Sequence, residues 1–363
     1  MNKHLNTFPN INIFYIMNTN ENNNSLRGLS GLANLGNTCY INSCMAVLSH
    51  TYELNNIIDN ENILKKIKKS SIDGNLLMEW VQLKKLLWAD NCTVSPNRFI
   101  RVLQLIALKK DMHTFSGFAQ NDLSEFLIFI ISCFHNALSR KTQISINGKP
   151  KNSTDKIALK CYEMIKNLYQ NDYSEVLNKF YGIHVSLLNS IETGQQLTFN
   201  AEPYFIINLP IPTYKKEPTI YECFDLYVEG ESLTGENAWY NEDSKEYVDV
   251  KKQIKFWSFP DVLVIDLKRF NDNNRKNQKI VHFPLTNLDL TSYVIGYNKN
   301  KYKYNLFGVC NHTGNLLGGH YTSFVKHYNE KWYHFNDTNV NEVKDESKIV
   351  SPKAYCLFYR LSI

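Results

Sequence analysis

The chain has 363 residues, 43% hydrophobic and 13% aromatic, enough apolar material to bury a large core in one big domain or two ordinary ones. Forty basic against 35 acidic residues leave a net charge of +5, too small and too dispersed an excess to make nucleic acid the main ligand. The longest apolar run, Phe126 to Ile131, is too short to span a bilayer, and eight scattered cysteines without a secretory leader point to an intracellular, reducing compartment, cytoplasm or nucleus, with no disulfides.

Residues 1 to 27 are Asn-rich and aperiodic and read as a disordered or loosely attached tail. Gly31-Leu32-Ala33-Asn34-Leu35-Gly36-Asn37-Thr38-Cys39-Tyr40 then brings one cysteine to the start of an apolar-periodic segment. Ile41, Cys44, Met45 and Leu48 predict a helix with one buried face, Asn37 or Thr38 is suited to cap it, and Cys39 falls in the first turn. Unpaired N–H groups and partial positive charge at a helix start favour thiolate over thiol. Helical spacing continues to about Phe180. Ser95 followed by Pro96 predicts a capped start, with Phe99, Val102, Leu103 and Ile106 as the buried stripe. Asp122 and Glu125 resemble a capping box for a helix with two apolar rows, Leu123, Leu127, Ile131 and Phe126, Ile130, Phe134, which marks it as central.

After about Tyr181 the signal changes to short β-branched and aromatic runs: Tyr204 to Leu209, Val262 to Leu267, Tyr304 to Val309, Tyr321 to Val325 and Tyr355 to Tyr359. Helices followed by strands predict an α+β fold. Two chemically rich boxes lie late in the chain, Gly318-Gly319-His320-Tyr321 and Trp332-Tyr333-His334-Phe335-Asn336-Asp337. Taken singly, a cysteine at a helix start is more often a small buried hydrophobe than a nucleophile, and His320 could be a strand histidine with a satisfied ring. Their ordered occurrence with Gln120-Asn121-Asp122-Leu123-Ser124-Glu125-Phe126 outweighs those readings.

Together these boxes resemble the ubiquitin-specific proteases, a papain-like family of deubiquitinating cysteine enzymes. The match runs in order from about Leu29 to Arg360 and includes Trp257-Ser258-Phe259-Pro260, Leu267-Lys268-Arg269-Phe270 and Ala354-Tyr355-Cys356-Leu357-Phe358-Tyr359. The resemblance implies a papain-like catalytic domain over 28–361, with a helical thumb at about 28–180, β fingers at about 181–260 and a sheet palm at about 261–361. It implies that Cys39 attacks the carbonyl of the last glycine of ubiquitin and that His320 takes and returns the proton. Asn336, directly after the aromatic residue of the Trp-rich strand, matches the residue that orients the base. Asp337 is the second choice. Asn34 matches a side-chain donor to the oxyanion, beside the Cys39 backbone N–H. Gln120 and Asp122 match a pair that binds the substrate tail, while Gly318 and Gly319, with Tyr321 in the same box, would line the narrow end of its channel.

Two departures stand out. Asn121 replaces a commoner Gln, and no Cys-x-x-Cys pair exists anywhere, whereas many family members hold the fingers with zinc on two such pairs. No metal and no cofactor is therefore expected. The expected partners are ubiquitin or ubiquitinated proteins, with no membrane and no nucleic acid, and the chain is expected to act as a monomer. Two rival functions stay open at this level: a catalytically silent ubiquitin-binding scaffold, and a protease for another ubiquitin-like modifier.

Overall fold

The computed structural model describes residues 26–68, 70–271, 275–297, 299–315 and 318–362. Most of the tail read as 1–27 lies outside the described residues. The carbonyls of Leu26 and Arg27 accept from the Asn91 amide at 2.5 Å and from His327 Nε2 at 2.7 Å.

The first half opens with β1 (Gly31–Leu32) and α1 (Cys39–Ser49), followed by α2 (Tyr52–Ile58), α3 (Glu61–Leu64), α4 (Ile72–Leu87), β2 (Thr93–Val94), α5 (Asn97–Lys109) and α6 (Leu123–Leu138). Helices α7 (Ser153–Tyr169) and α8 (Glu175–Phe180) complete it. The pair β1 and β2 runs parallel and brackets the four helices α1 to α4. Every residue of α1 is buried, not one face only. Of its polar residues, Asn42 donates to Asp337 and the Ser49 hydroxyl to the Ala46 carbonyl at 2.9 Å, while the Ser43 hydroxyl has no partner. The two apolar rows of α6 are buried, and Phe134 stacks on Trp80 of α4 with ring centres 6.3 Å apart. The α5 start differs from expectation. Pro96 itself occupies the capping position, and the Ser95 hydroxyl accepts from the Asn97 side chain at 2.9 Å instead of capping the helix.

In the second half come β3 (Gly182–Ser190), β4 (Gln196–Tyr204), β5 (Ile206–Pro210), α9 (Ile220–Glu229), β6 (Glu231–Leu233), β7 (Trp239–Asn241), β8 (Glu246–Val248) and β9 (Val250–Ser258). The chain ends with β10 (Val262–Lys268), β11 (Leu288–Asp289), β12 (Lys303–Asn315), β13 (Gly318–Lys326), β14 (Trp332–Asn336), β15 (Asn339–Glu342) and β16 (Ala354–Leu361). The large sheet has the order β15-β14-β13-β12-β16-β10-β5, with β11 on β12, and a second sheet has the order β4-β3-β9-β6. The predicted run from Tyr204 to Leu209 is split at Phe205 between these two sheets. Helix α9 interrupts the strand-rich half and is fixed by a full capping box between Thr219 and Glu222.

The small hairpin β7–β8 lies where the family's zinc would be expected. Tyr240 stands opposite Tyr247 in its ladder, with ring centres 5.2 Å apart, a cross-strand aromatic pair. The thumb core continues into the palm where α1 crosses β12. A side chain at Gly308 would meet Val47 Cγ1 at 2.6 Å, so the residue must be glycine for the helix to lie on the strand. Among the described residues, no helix is long and apolar enough to cross a membrane.

Candidate active site

The loop before α1 is shaped by Asn34. Its side-chain carbonyl accepts from the N–H of Gly36 at 3.1 Å and of Thr38 at 3.2 Å, while Gly36 and Asn37 take positive φ of 103° and 52°. Thr38 holds the capping position of α1 but makes no cap. Its hydroxyl accepts from Leu35 N–H at 2.9 Å, which leaves the first N–H groups of the helix directed at the Cys39 sulfur. Cys39 is 3% exposed. Burial pushes its thiol above the usual value, the Asp337 charge adds to this, and the backbone N–H groups of Tyr321, Tyr40 and Cys39 oppose it without prevailing. The helix start alone therefore does not deliver a thiolate. A base must take the proton.

His320 lies on β13, and its Nε2 donates to the side-chain carbonyl of Asn336, the last residue of β14, at 2.7 Å. That bond fixes the tautomer and leaves Nδ1 as the basic nitrogen. Asp337 follows with φ of 49° and turns the other way. Its carboxylate accepts from the Asn34 amide at 3.0 Å and the Asn42 amide at 2.8 Å, and its backbone carbonyl from Leu32 N–H at 2.9 Å. The first residue beyond β14 thus anchors the Asn34 loop and α1.

Gln120 crosses from the loop before α6 to β13, where its amide Nε2 donates to the Gly319 carbonyl at 2.8 Å and its Oε1 accepts from Gly319 N–H at 2.5 Å. Gly318 N–H is held by Asn315 at 3.0 Å. A side chain at Gly319 would strike His312 Nε2 at 2.3 Å, so only glycine fits beside the base. Asp122 Oδ1 caps α6, accepting from the N–H groups of Ser124 at 2.8 Å and Glu125 at 3.0 Å, and Oδ2 accepts from the Tyr355 hydroxyl. Glu125 itself stays exposed. Tyr321 is buried beneath the cleft.

The roles of four residues near the site escaped the sequence reading. Asn42 joins α1 to Asp337, Asn121 donates to the Tyr40 hydroxyl at 3.1 Å, and Tyr355 holds Asp122. Asp266 places a carboxyl in the interior of the palm, where its Oδ1 lacks a partner and burial, with the Asp122 charge, holds the group protonated well above the carboxylate range. A charged residue inside the apolar run Val262 to Leu267 was the available signal for this last one. Among the described residues, no group of three or more His, Cys, Asp or Glu could hold a metal.

A buried thiol at a helix start and an imidazole held by an amide, set where helices meet a mixed sheet, define the papain-like class of fold and site. The family model "Ubiquitin carboxyl-terminal hydrolase" matches residues 30–359. Ubiquitin carboxyl-terminal hydrolase 2 of Bos taurus is 31% identical over 94% of this chain and 56% of its own length. The protein of the same name from Gallus gallus is 32% identical over 93% of this chain and 94% of its own. The SAGA Ubp8/Sgf11/Sus1/Sgf73 DUB module bound to ubiquitin aldehyde superimposes with a TM-score of 0.71 at 25% identity, covering 93% of this chain and 70% of that one. The chain belongs to the ubiquitin carboxyl-terminal hydrolase family, and it spans little more than half of the bovine relative.

Proposed function

We propose that this chain is a deubiquitinating thiol isopeptidase, and that residues 28–361 form its catalytic domain with thumb, fingers and palm divided near 180 and 260. One observation carries the reading: His320 is aligned by Asn336 at 2.7 Å while the N–H of the next residue, Tyr321, reaches the Cys39 sulfur. His320 Nδ1 takes the thiol proton as the Cys39 sulfur bonds to the carbonyl carbon of ubiquitin's last glycine. The oxyanion accepts from the Cys39 backbone N–H and from the second N–H of the Asn34 amide, whose first is given to Asp337. Collapse breaks the C–N bond, and the imidazolium proton leaves with the lysine amine. Water then adds to the thioester through the same base, releasing ubiquitin's carboxylate and restoring the thiol.

Gly318 and Gly319 keep the channel narrow enough for a tail ending in two glycines, and Asp122 lies at its thumb side with Tyr321 and Tyr355 below. The relative whose structure holds ubiquitin aldehyde supports ubiquitin as the partner. The cysteine pattern favours an intracellular compartment, cytoplasm or nucleus.

A ubiquitin probe with a C-terminal electrophile tests the reading. It should form one covalent adduct, mapped by peptide mass to Cys39. Adduct at Cys44, whose fully buried thiol is pushed well up by burial, would sink the assignment, as would a reaction only with probes built on other modifiers.

A further inference from the structure

The edge of β13 that faces the cleft is finished by side chains. In an antiparallel strand the N–H and C=O of one residue point to the same side, and successive residues alternate. Gly319 directs both its backbone groups to Gln120 and Tyr321 its N–H to Cys39, so by this alternation Gly319, Tyr321 and Ser323 turn their backbone groups away from β12 and toward the β14 side. The β13–β14 ladder runs only from Ser323↔Phe335 to Lys326↔Trp332, which leaves Tyr321 and Gly319 without a strand neighbour on that side. Tyr321 N–H turns to the Cys39 sulfur. Gly319 gives both its groups to the two polar atoms of Gln120, at 2.5 and 2.8 Å. The amide donates and accepts as a neighbouring strand would, and it comes from the opposite wall of the cleft, 199 residues away in sequence.

We propose that Gln120 is a positioning residue for the base: its amide replaces the missing strand at Gly319 and thereby fixes the backbone of His320, so that the imidazole stays opposite Cys39. Without it the end of β13 is held on one side only, through β12, opposite Gly314, whose φ is 114°. His320 would keep its bond to Asn336 but lose the fixed backbone from which its ring projects. This rests on Cys39 and His320 being nucleophile and base, and it gives the Gln120 amide a role distinct from gripping the substrate's tail.

The test uses Gln120→Ala and Gln120→Glu in the full chain, with a fluorogenic ubiquitin amide and, independently of ubiquitin, with iodoacetamide alkylation of Cys39 followed by mass spectrometry. Gln120→Ala should lower kcat on the order of 10- to 100-fold with KM nearly unchanged, since a small misplacement of a reacting group costs rate and not binding. Cys39 alkylation near neutral pH should slow in the same variant, because the base no longer assists loss of the thiol proton. A neutral carboxyl can donate and accept as the amide does, whereas a carboxylate only accepts. Gln120→Glu should therefore recover toward wild type, as a ratio of rates at equal pH, when the pH falls through the carboxyl range. A raised KM at unchanged kcat in Gln120→Ala, with Cys39 alkylation untouched, would overturn the proposal in favour of tail binding. If the wild type fails to turn over ubiquitin substrates, the function proposed above falls, and the alkylation comparison still decides whether Gln120 governs the thiol.

Discussion

Asp337 and Asn34, 303 residues apart in sequence, are joined by a 3.0 Å hydrogen bond from the Asn34 amide to the Asp337 carboxylate. The same carboxylate holds Asn42 of α1, so the residue after Asn336, whose carbonyl accepts from His320, ties down both the loop and the helix that carry Cys39. Adjacent positions at the end of one strand thus serve opposite walls of the site.

Their lesions should differ. Asn336→Ala frees the imidazole and should lower kcat on the order of 1,000-fold at similar probe affinity, whereas Asn336→Asp keeps an acceptor oxygen and should retain substantial turnover. Asp337→Ala loosens Asn34 and should cost on the order of 10- to 100-fold, the milder loss, because the Cys39 N–H still serves the oxyanion. Steady-state kinetics with a ubiquitin fluorogenic substrate reads this directly. Abolished turnover in Asp337→Ala beside a near-normal Asn336→Ala would reverse the two roles.

Acid should unfold the protein partly through His50. Its ring is fully buried, bonded through Nδ1 to the Ala46 carbonyl at 2.9 Å, and burial with the charges of His327 and Arg360 lowers its pKa to about 4. An unfolded histidine binds its proton near 6.5. Between these values the unfolded chain holds more protons, so this contribution is complete above about pH 6.5 and is lost as the pH falls toward 4. The full effect is about 3 kcal/mol. Urea midpoints at pH 7 and pH 4.5 should separate more for wild type than for His50→Gln. An equal separation would remove His50 from the account.

Replacing Asp266 by asparagine should stabilise the palm at neutral pH. A carboxyl whose folded pKa is raised loses stability as the pH rises above its unfolded value, whereas an amide of the same shape has no acidic proton to lose. Thermal melts of Asp266→Asn should therefore gain on wild type as the pH rises from about 4 to about 7. A gain that shrinks over that range would mean that Asp266 is ionised and paired.

Chelation should leave the protein intact. With Tyr240 and Tyr247 packed at a tilt across the β7–β8 hairpin, and no Cys-x-x-Cys pair in the sequence, overnight dialysis against a strong chelator should change neither turnover nor the melting temperature. Loss of both, restored by zinc, would reveal a site that the described residues do not display.

Local signals were readable in the sequence, and long-range pairings were not. Cys39, the α6 rows and the late strands each declare themselves within a few residues, by periodicity or by a cap. The capping box Thr219 to Glu222 was equally local but went unread, so α9 inside the strand-rich half was not expected. By contrast, the partners of Asp337, Gln120 and Tyr355 lie 303, 199 and 233 residues away, fixed by strand register and by how α1 lies on β12. The one-faced helix expected after Cys39 failed for the same reason. Asn42, Ser43 and Ser49 look like a solvent face until the elements around them are in place.

Because α1 has no exposed residue, its amides have no local route to solvent exchange. Deuterium should enter the helix only when the joint between thumb and palm comes apart, which makes Met45 to Leu48 reporters of global opening, in contrast to the exposed hairpin at Tyr247. Cys39 is in this sense seated where the molecule opens last, and any adaptability toward a partner must reside in the surfaces around it.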